Sequence, residues 1–148
     1  MAVGYAKWTG KLGICLATTG PGGANLLTGL YDAKFDRAPV LAITGLPYHD
    51  LISTYTQQDI DHTKVFQDVA AYTTAIYGAQ HVRQATALAC RTALSERCVA
   101  HLAFHPTCKS RRWKMMKPLP DTRLNPPRSL SKNRGCPRKR RSLGPLRS

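Results

Sequence analysis

The run Thr18-Thr19-Gly20-Pro21-Gly22-Gly23, followed by Asn25, carries the densest chemical information in this 148-residue chain. Glycines let a backbone approach a flat ligand closely, and the start of a following helix offers N–H groups with no partner in the helix. The same residues serve a plain strand-to-helix turn, in which Asn25 caps its own helix. Gln57, beside Gln58, has an amide that hydrogen-bonds a substrate atom or water equally well. Cys98, His101, His105 and Cys108 have the ligand types and close spacing of a zinc site. Cys98 and His101 lie in or beside an apolar run, whereas His105 and Cys108 open a segment of different composition, so a shared metal centre is not expected. His49 and His62 carry rings that can transfer protons. Both fall in or beside a polar loop, where histidines are expected at the surface.

The elements that must position these residues follow from periodicity. Ala2–Trp8 is compatible with a helix and meets a stop at Thr9-Gly10. Leu12–Ala17 is a short apolar run, suited to a strand buried on both faces. Ala24–Phe35 reads as a helix with Leu26, Leu27, Leu30 and Ala33 along one side. Pro39–Gly45 is a second apolar strand, and a polar loop runs from Leu46 to about Asp61. Val69–Thr74 is a short third strand. Ala79–Arg97 is a long helix with Val82, Ala85, Ala89 and Ala93 in register, and Val99–Phe104 is the last strand. This alternation predicts an α/β fold, a partial parallel sheet with covering helices. Ligands of such sheets gather at the carboxyl ends of strands, where Gly20-Pro21-Gly22 and Gly45 both stand.

Charge divides the chain sharply. Residues 1–104 hold 8 Lys+Arg and 7 Asp+Glu, a net of +1; residues 105–148 hold 14 Lys+Arg and 1 Asp, a net of +13, which together make the +14 of the whole. Seven of the ten prolines also lie beyond Phe104. That segment cannot bury enough apolar surface to offset chain entropy, and a disordered basic tail is expected over 105–148. Its charge would neutralise phosphates, which makes a nucleic-acid-binding protein the alternative reading. Trp113 is its single aromatic, so no stacking platform accompanies the charge and no specific nucleic acid is expected. The cysteines, Cys15, Cys90, Cys98, Cys108 and Cys136, are odd in number and irregularly spaced, which favours reduced thiols. No run is long and apolar enough for a membrane span, and no secretory leader is visible, so a cytoplasmic location is the expectation.

Three stretches carry a resemblance. Gly4-Tyr5-Ala6-Lys7-Trp8-Thr9-Gly10-Lys11-Leu12-Gly13, Ala17–Gly29 and Ala38–Gly45 closely resemble the N-terminal pyrimidine-binding domain of thiamine diphosphate enzymes. The nearest group is that of pyruvate oxidase, quinone-linked pyruvate dehydrogenase and acetolactate synthase. Tyr48–Ile52 and Gln57-Gln58-Asp59 are more similar to the pyruvate-oxidase side. The resemblance covers residues 1–104, read as a partial domain of that family.

The resemblance implies a thiamine diphosphate cofactor, with Mg²⁺ and in some members FAD, and a 2-oxo acid of the pyruvate type as substrate. It implies homodimers or homotetramers, in which the cofactor lies between domains of two subunits. It places Gly20, Pro21 and Gly22 beside the aminopyrimidine ring, Asn25 at the opening of the next helix, and Gln57 facing the reacting centre. Thr56 stands where many members have phenylalanine. The family's activating glutamate would fall upstream of Met1, and the only glutamate, Glu96, is elsewhere. The Gly-Asp-Gly motif that holds metal and diphosphate in the family does not occur in the sequence. The expectation is therefore a fragment of one wall of an active site, without catalysis by itself. A frameshift near Phe104 would account for the tail. Codons for Trp113-Lys114-Met115-Met116-Lys117, read in another frame, encode an acidic run like the family's continuation.

Overall fold

The computed structural model describes residues 1–106. The sequence divides them into α1 (Ala2–Thr9), β1 (Gly13–Ala17), α2 (Pro21–Ala24), α3 (Leu26–Phe35), β2 (Val40–Gly45), a 3-10 turn (His49–Leu51), α4 (His62–Val65), β3 (Tyr72–Ile76), α5 (Ala79–Glu96) and β4 (Val99–Phe104). The four strands form one sheet in the order β1-β2-β4-β3, and every pairing is parallel. This is the α/β class expected from the alternation of apolar runs and helical stripes.

Alternation along the strands builds a core on each face of the sheet. Val40, Ala42 and Val99 point to one side and pack with Ala6 of α1, Leu30 and Ala33 of α3, and Phe66 and Val69. Leu41, Ala100, Leu102 and Ile76 point to the other and meet Ala85, Ala89 and Ala93 of α5. The alanine stripe lets the α5 backbone approach the sheet closely. Helix α1 ends where expected, at Gly10, whose φ of 68° supplies a left-handed cap with its N–H bonded to the Ala6 carbonyl.

Three elements differ from the sequence reading. β1 is not buried on both faces: Ile14 is 59% and Leu16 75% exposed. Among the described residues it pairs only with β2, and α5 lies over the far half of the sheet, so a run suited to a central strand sits at an edge. The helix expected from Ala24 is instead α2 and α3, parted at Asn25. β3 lies at Tyr72–Ile76 rather than Val69–Thr74, because Val69 and Ala70 are drawn into the core with Phe66. Cys15, Cys90 and Cys98 form no disulfide with one another.

Past Phe104, His105 is fully buried and its backbone N–H donates to the Ile76 carbonyl at 2.9 Å. The expectations for 107–148, and Cys108 of the zinc reading, lie outside the described residues. Among the described residues, no helix is long and apolar enough to cross a membrane.

Candidate functional site

β1 and β2 run side by side with Ala17 opposite Thr44, so the turns leaving their carboxyl ends are neighbours. The first turn is shaped by glycine. Gly20 has φ 68° and ψ −133°, in the half of the map that side chains avoid, and a Cβ there would lie 2.6 Å from the Gln58 Cβ. Pro21 supplies the pre-set φ of a first helical position. A Cβ on Gly22 would meet Thr18 Cγ2 at 2.6 Å, and Gly23 lies directly against the His62 ring. These glycines are therefore required by protein packing against the turn.

The second turn opens from Gly45 into the 46–61 loop. Within it Ser53, Tyr55 and Gln58 all have positive φ. The loop folds back so that the Thr19 hydroxyl donates to the Gln58 carbonyl at 3.3 Å. Asp61 then caps α4, accepting from the backbone N–H groups of Thr63 and Lys64. The Thr63 hydroxyl bonded to the Asp61 carboxylate, with the Lys64 amide and ammonium, holds that carboxyl below its usual range.

Between the turns lies a cleft of about 780 Å³. Leu16, Ile43 and Phe104 give it apolar surface; Thr18, Thr19, Gln57 and Gln58 give it hydroxyl and amide groups. Thr56, Tyr48 and Gly45 also line it. Among the described residues its lining contains no Lys, Arg, Asp or Glu. Of the residues expected at the site, Gln57 thus faces the cleft. Gly20, Pro21, Gly22 and Asn25 do not line it; Gly20 backs Gln58, and Asn25 is exposed with no capping hydrogen bond from its side chain. Glu96 is exposed at the end of α5 and is not part of the lining.

Of the two loop histidines expected at the surface, His49 lies there and His62 does not. His49 is exposed and stacks on His105 with ring centroids 4.2 Å apart. His62 is fully buried: its Nε2 is 3.1 Å from the Gly20 carbonyl and its Nδ1 3.0 Å from Thr44 Oγ1. His101 is also fully buried, between Thr44 Oγ1 at 2.9 Å and Thr73 Oγ1 at 2.7 Å. Both His101 nitrogens are thereby engaged by hydroxyls rather than offered to a metal. Burial, with His62 nearby, lowers its pKa to about 3. Among the described residues no group of three or more His, Cys, Asp or Glu is placed to hold a metal ion. Sequence reasoning passed over Thr18, Thr19, Thr44 and Thr73. The signal for the first two was their place between the end of a strand and the glycines.

Comparison with known proteins bears on this cleft. Residues 1–65 match the family described as thiamine pyrophosphate enzyme, N-terminal TPP binding domain. The Bacillus subtilis protein YdaP, whose name describes it as thiamine pyrophosphate-containing, is 42% identical over 102 residues, 69% of this chain and 18% of its own length. The acetolactate synthase isozyme 2 large subunit of Escherichia coli K12 is 53% identical over 60 residues, 40% of this chain and 11% of its own length. The acetolactate synthase of Mycobacterium leprae is 38% identical over 105 residues, 71% of this chain and 17% of its own length. The chain thus spans less than a fifth of each of these relatives. Residues 1–65 of the chain thus belong to the thiamine pyrophosphate enzyme family, in its N-terminal TPP-binding domain.

Proposed function

We propose that residues 1–106 form the wall of a thiamine diphosphate site that receives the pyrimidine end of the cofactor. The observation that carries this is the lining of the cleft: apolar surface from Leu16, Ile43 and Phe104 beside uncharged donors and acceptors on Thr18, Thr19, Gln57 and Gln58. A flat heteroaromatic ring wants both, dispersion against its faces and hydrogen bonds at its edge. The same lining does not fit the other end. A diphosphate with its metal ion calls for cations and carboxylates, and among the described residues the cleft presents neither. The diphosphate, Mg²⁺ and, where used, FAD are assigned to polypeptide outside residues 1–106, brought up in a homodimer or homotetramer. Bound thiamine diphosphate supplies the electron sink for decarboxylating a 2-oxo acid. In this reading Gln57 hydrogen-bonds the substrate at the mouth of the cleft, and Thr56 leaves room beside it.

The likeness to acetolactate synthases supports a pyruvate-type acid in an acetolactate synthase-like or pyruvate oxidase-like reaction. The isolated chain is proposed to hold the ring without turnover, since among the described residues no carboxylate lines the cleft to move a proton to or from it. Titration of the full chain with thiamine, and separately with thiamine diphosphate and Mg²⁺, tests the reading. Salt high enough to screen the basic residues 105–148 removes their non-specific attraction for diphosphate. Backbone amide NMR signals of Thr18, Thr19, Gly45 and Gln57 shift with both ligands, at affinities within about threefold of each other, because only the shared ring is held. Unmoved cleft signals overturn the assignment. Carbon dioxide release from pyruvate by the purified chain, above a protein-free blank, overturns the claim of no turnover.

A further inference from the structure

Two buried histidines, His62 on α4 and His101 on β4, have ring centroids 6.4 Å apart, and the hydrogen atoms on their rings can be assigned by elimination. The Gly20 carbonyl can only accept, so His62 Nε2 carries the hydrogen of that 3.1 Å contact. A ring with no solvent exposure and no carboxylate partner is accommodated with one ring hydrogen, which leaves Nδ1 as an acceptor. Thr44 must then donate its O–H to His62 Nδ1 and accept from the Nε2–H of His101. The remaining nitrogen of His101, Nδ1, accepts from the Thr73 hydroxyl. One direction of donation therefore runs unbroken from Thr73 on β3, through His101 on β4 and Thr44 on β2, to His62 on α4 and the Gly20 carbonyl. Every member satisfies its neighbour, and reversal is blocked by the carbonyl at the end.

We propose that His62 is a positioning residue for the cleft, aimed by this one-way run and acting through the Gly20 carbonyl. The reasons are geometric. Gly20 is held by His62 on one side and lies against Gln58 on the other, where a Cβ would come within 2.6 Å. The Thr19 hydroxyl bonds the Gln58 carbonyl, and Gln57 and Gln58 both line the cleft. His62 thus fixes the turn, the turn fixes Gln58, and Gln57 is presented beside it. Stacking of Phe66 on His101, with centroids 4.0 Å apart and planes 13° from parallel, keeps the run from rotating. Apolar residues of similar volume would fill the same space at less cost in desolvation. What two imidazoles add is direction.

The role in ligand binding rests on the cleft being a ring site; the hydrogen-bond run does not. Nitrogen-15 NMR of the histidine rings in the native full chain at pH 7, without ligand, is expected to show His62 and His101 both as Nε2–H tautomers. A ring in the Nδ1–H form, or doubly protonated, overturns the proposal. Thr44→Val removes the central hydroxyl at nearly constant shape, and Thr44→Ser keeps it. The Ala24 amide, bonded to the Gly20 carbonyl at 3.2 Å, is expected to exchange about tenfold faster in T44V and at close to the native rate in T44S. The Ala89 amide within α5 serves as reference and stays unchanged. An unaltered Ala24 rate in T44V overturns the positioning role; if T44V does not fold, the native ring tautomers decide. Thiamine-induced shifts at Gln57 weaken in T44V and recover in T44S. Should thiamine leave the cleft signals unmoved while the tautomers stand as assigned, the ring-site reading fails and the run survives.

Discussion

Glycine does two different jobs in this chain, and single substitutions separate them. Gly29 lies within α3 with open space where a Cβ would go. Gly29→Ala should stabilise the fold by about 0.5–1 kcal/mol, since alanine loses less backbone entropy in a helix. Gly20 combines a φ of 68° with the close approach of Gln58. Gly20→Ala should destabilise by about 1–3 kcal/mol through strain and displacement of Gln58. Urea unfolding midpoints of the two variants should move in opposite directions; midpoints moving together would contradict this account. The turn was legible as a turn from its composition. That Gly20 faces Gln58, and that Gly23 faces His62, was not, because those partners are brought in by a loop that doubles back.

At the scale of elements, β1 is the exposed member of the sheet. Its Ile14 is 59% exposed, directly beside buried Leu41 on β2. An apolar edge strand with unpaired backbone groups invites association with another copy. Ile14→Lys should lower concentration-dependent light scattering and leave the thermal midpoint within about 2 °C of the native value, since little burial is lost. A large fall in the midpoint would show Ile14 to be covered in the native chain. The run Leu12–Ala17 was readable as a strand because it is short and apolar, but an apolar run does not say how many neighbours it will have. The helix α5 and the strand β4 were legible nearly to the residue, since long periodicity and a compact apolar run leave few alternatives. The short α4 was not. Its only local mark was the Asp61 cap, set in a polar loop.

For the whole molecule, buried His101 couples stability to pH. The folded pKa of His101, about 3, lies below the 6.5 of an unfolded ring. Between those values the unfolded chain binds the proton and the folded chain does not. Stability from this residue is therefore complete above pH 6.5 and is lost as pH falls toward 3, by up to about 1.4 kcal/mol per pH unit. Urea midpoints measured from pH 7.5 to pH 4 should decline below about 6.5. A flat profile over that range would place a compensating charge beside His101.

Local pattern alone was enough to determine a parallel α/β chain, a glycine turn at the end of its first strand and a likeness to thiamine diphosphate enzymes. Each depends on residues close together in sequence, where turn chemistry and side-chain periodicity act directly. Tertiary structure decided which residues the cleft presents and which only support it. It brought His62 to Thr44 across 18 positions, to Gly20 across 42, and Thr44 to His101 across 57. Contacts at such separations depend on how strands are ordered in the sheet, and strand order is a property of the packed whole rather than of any single stretch of chain.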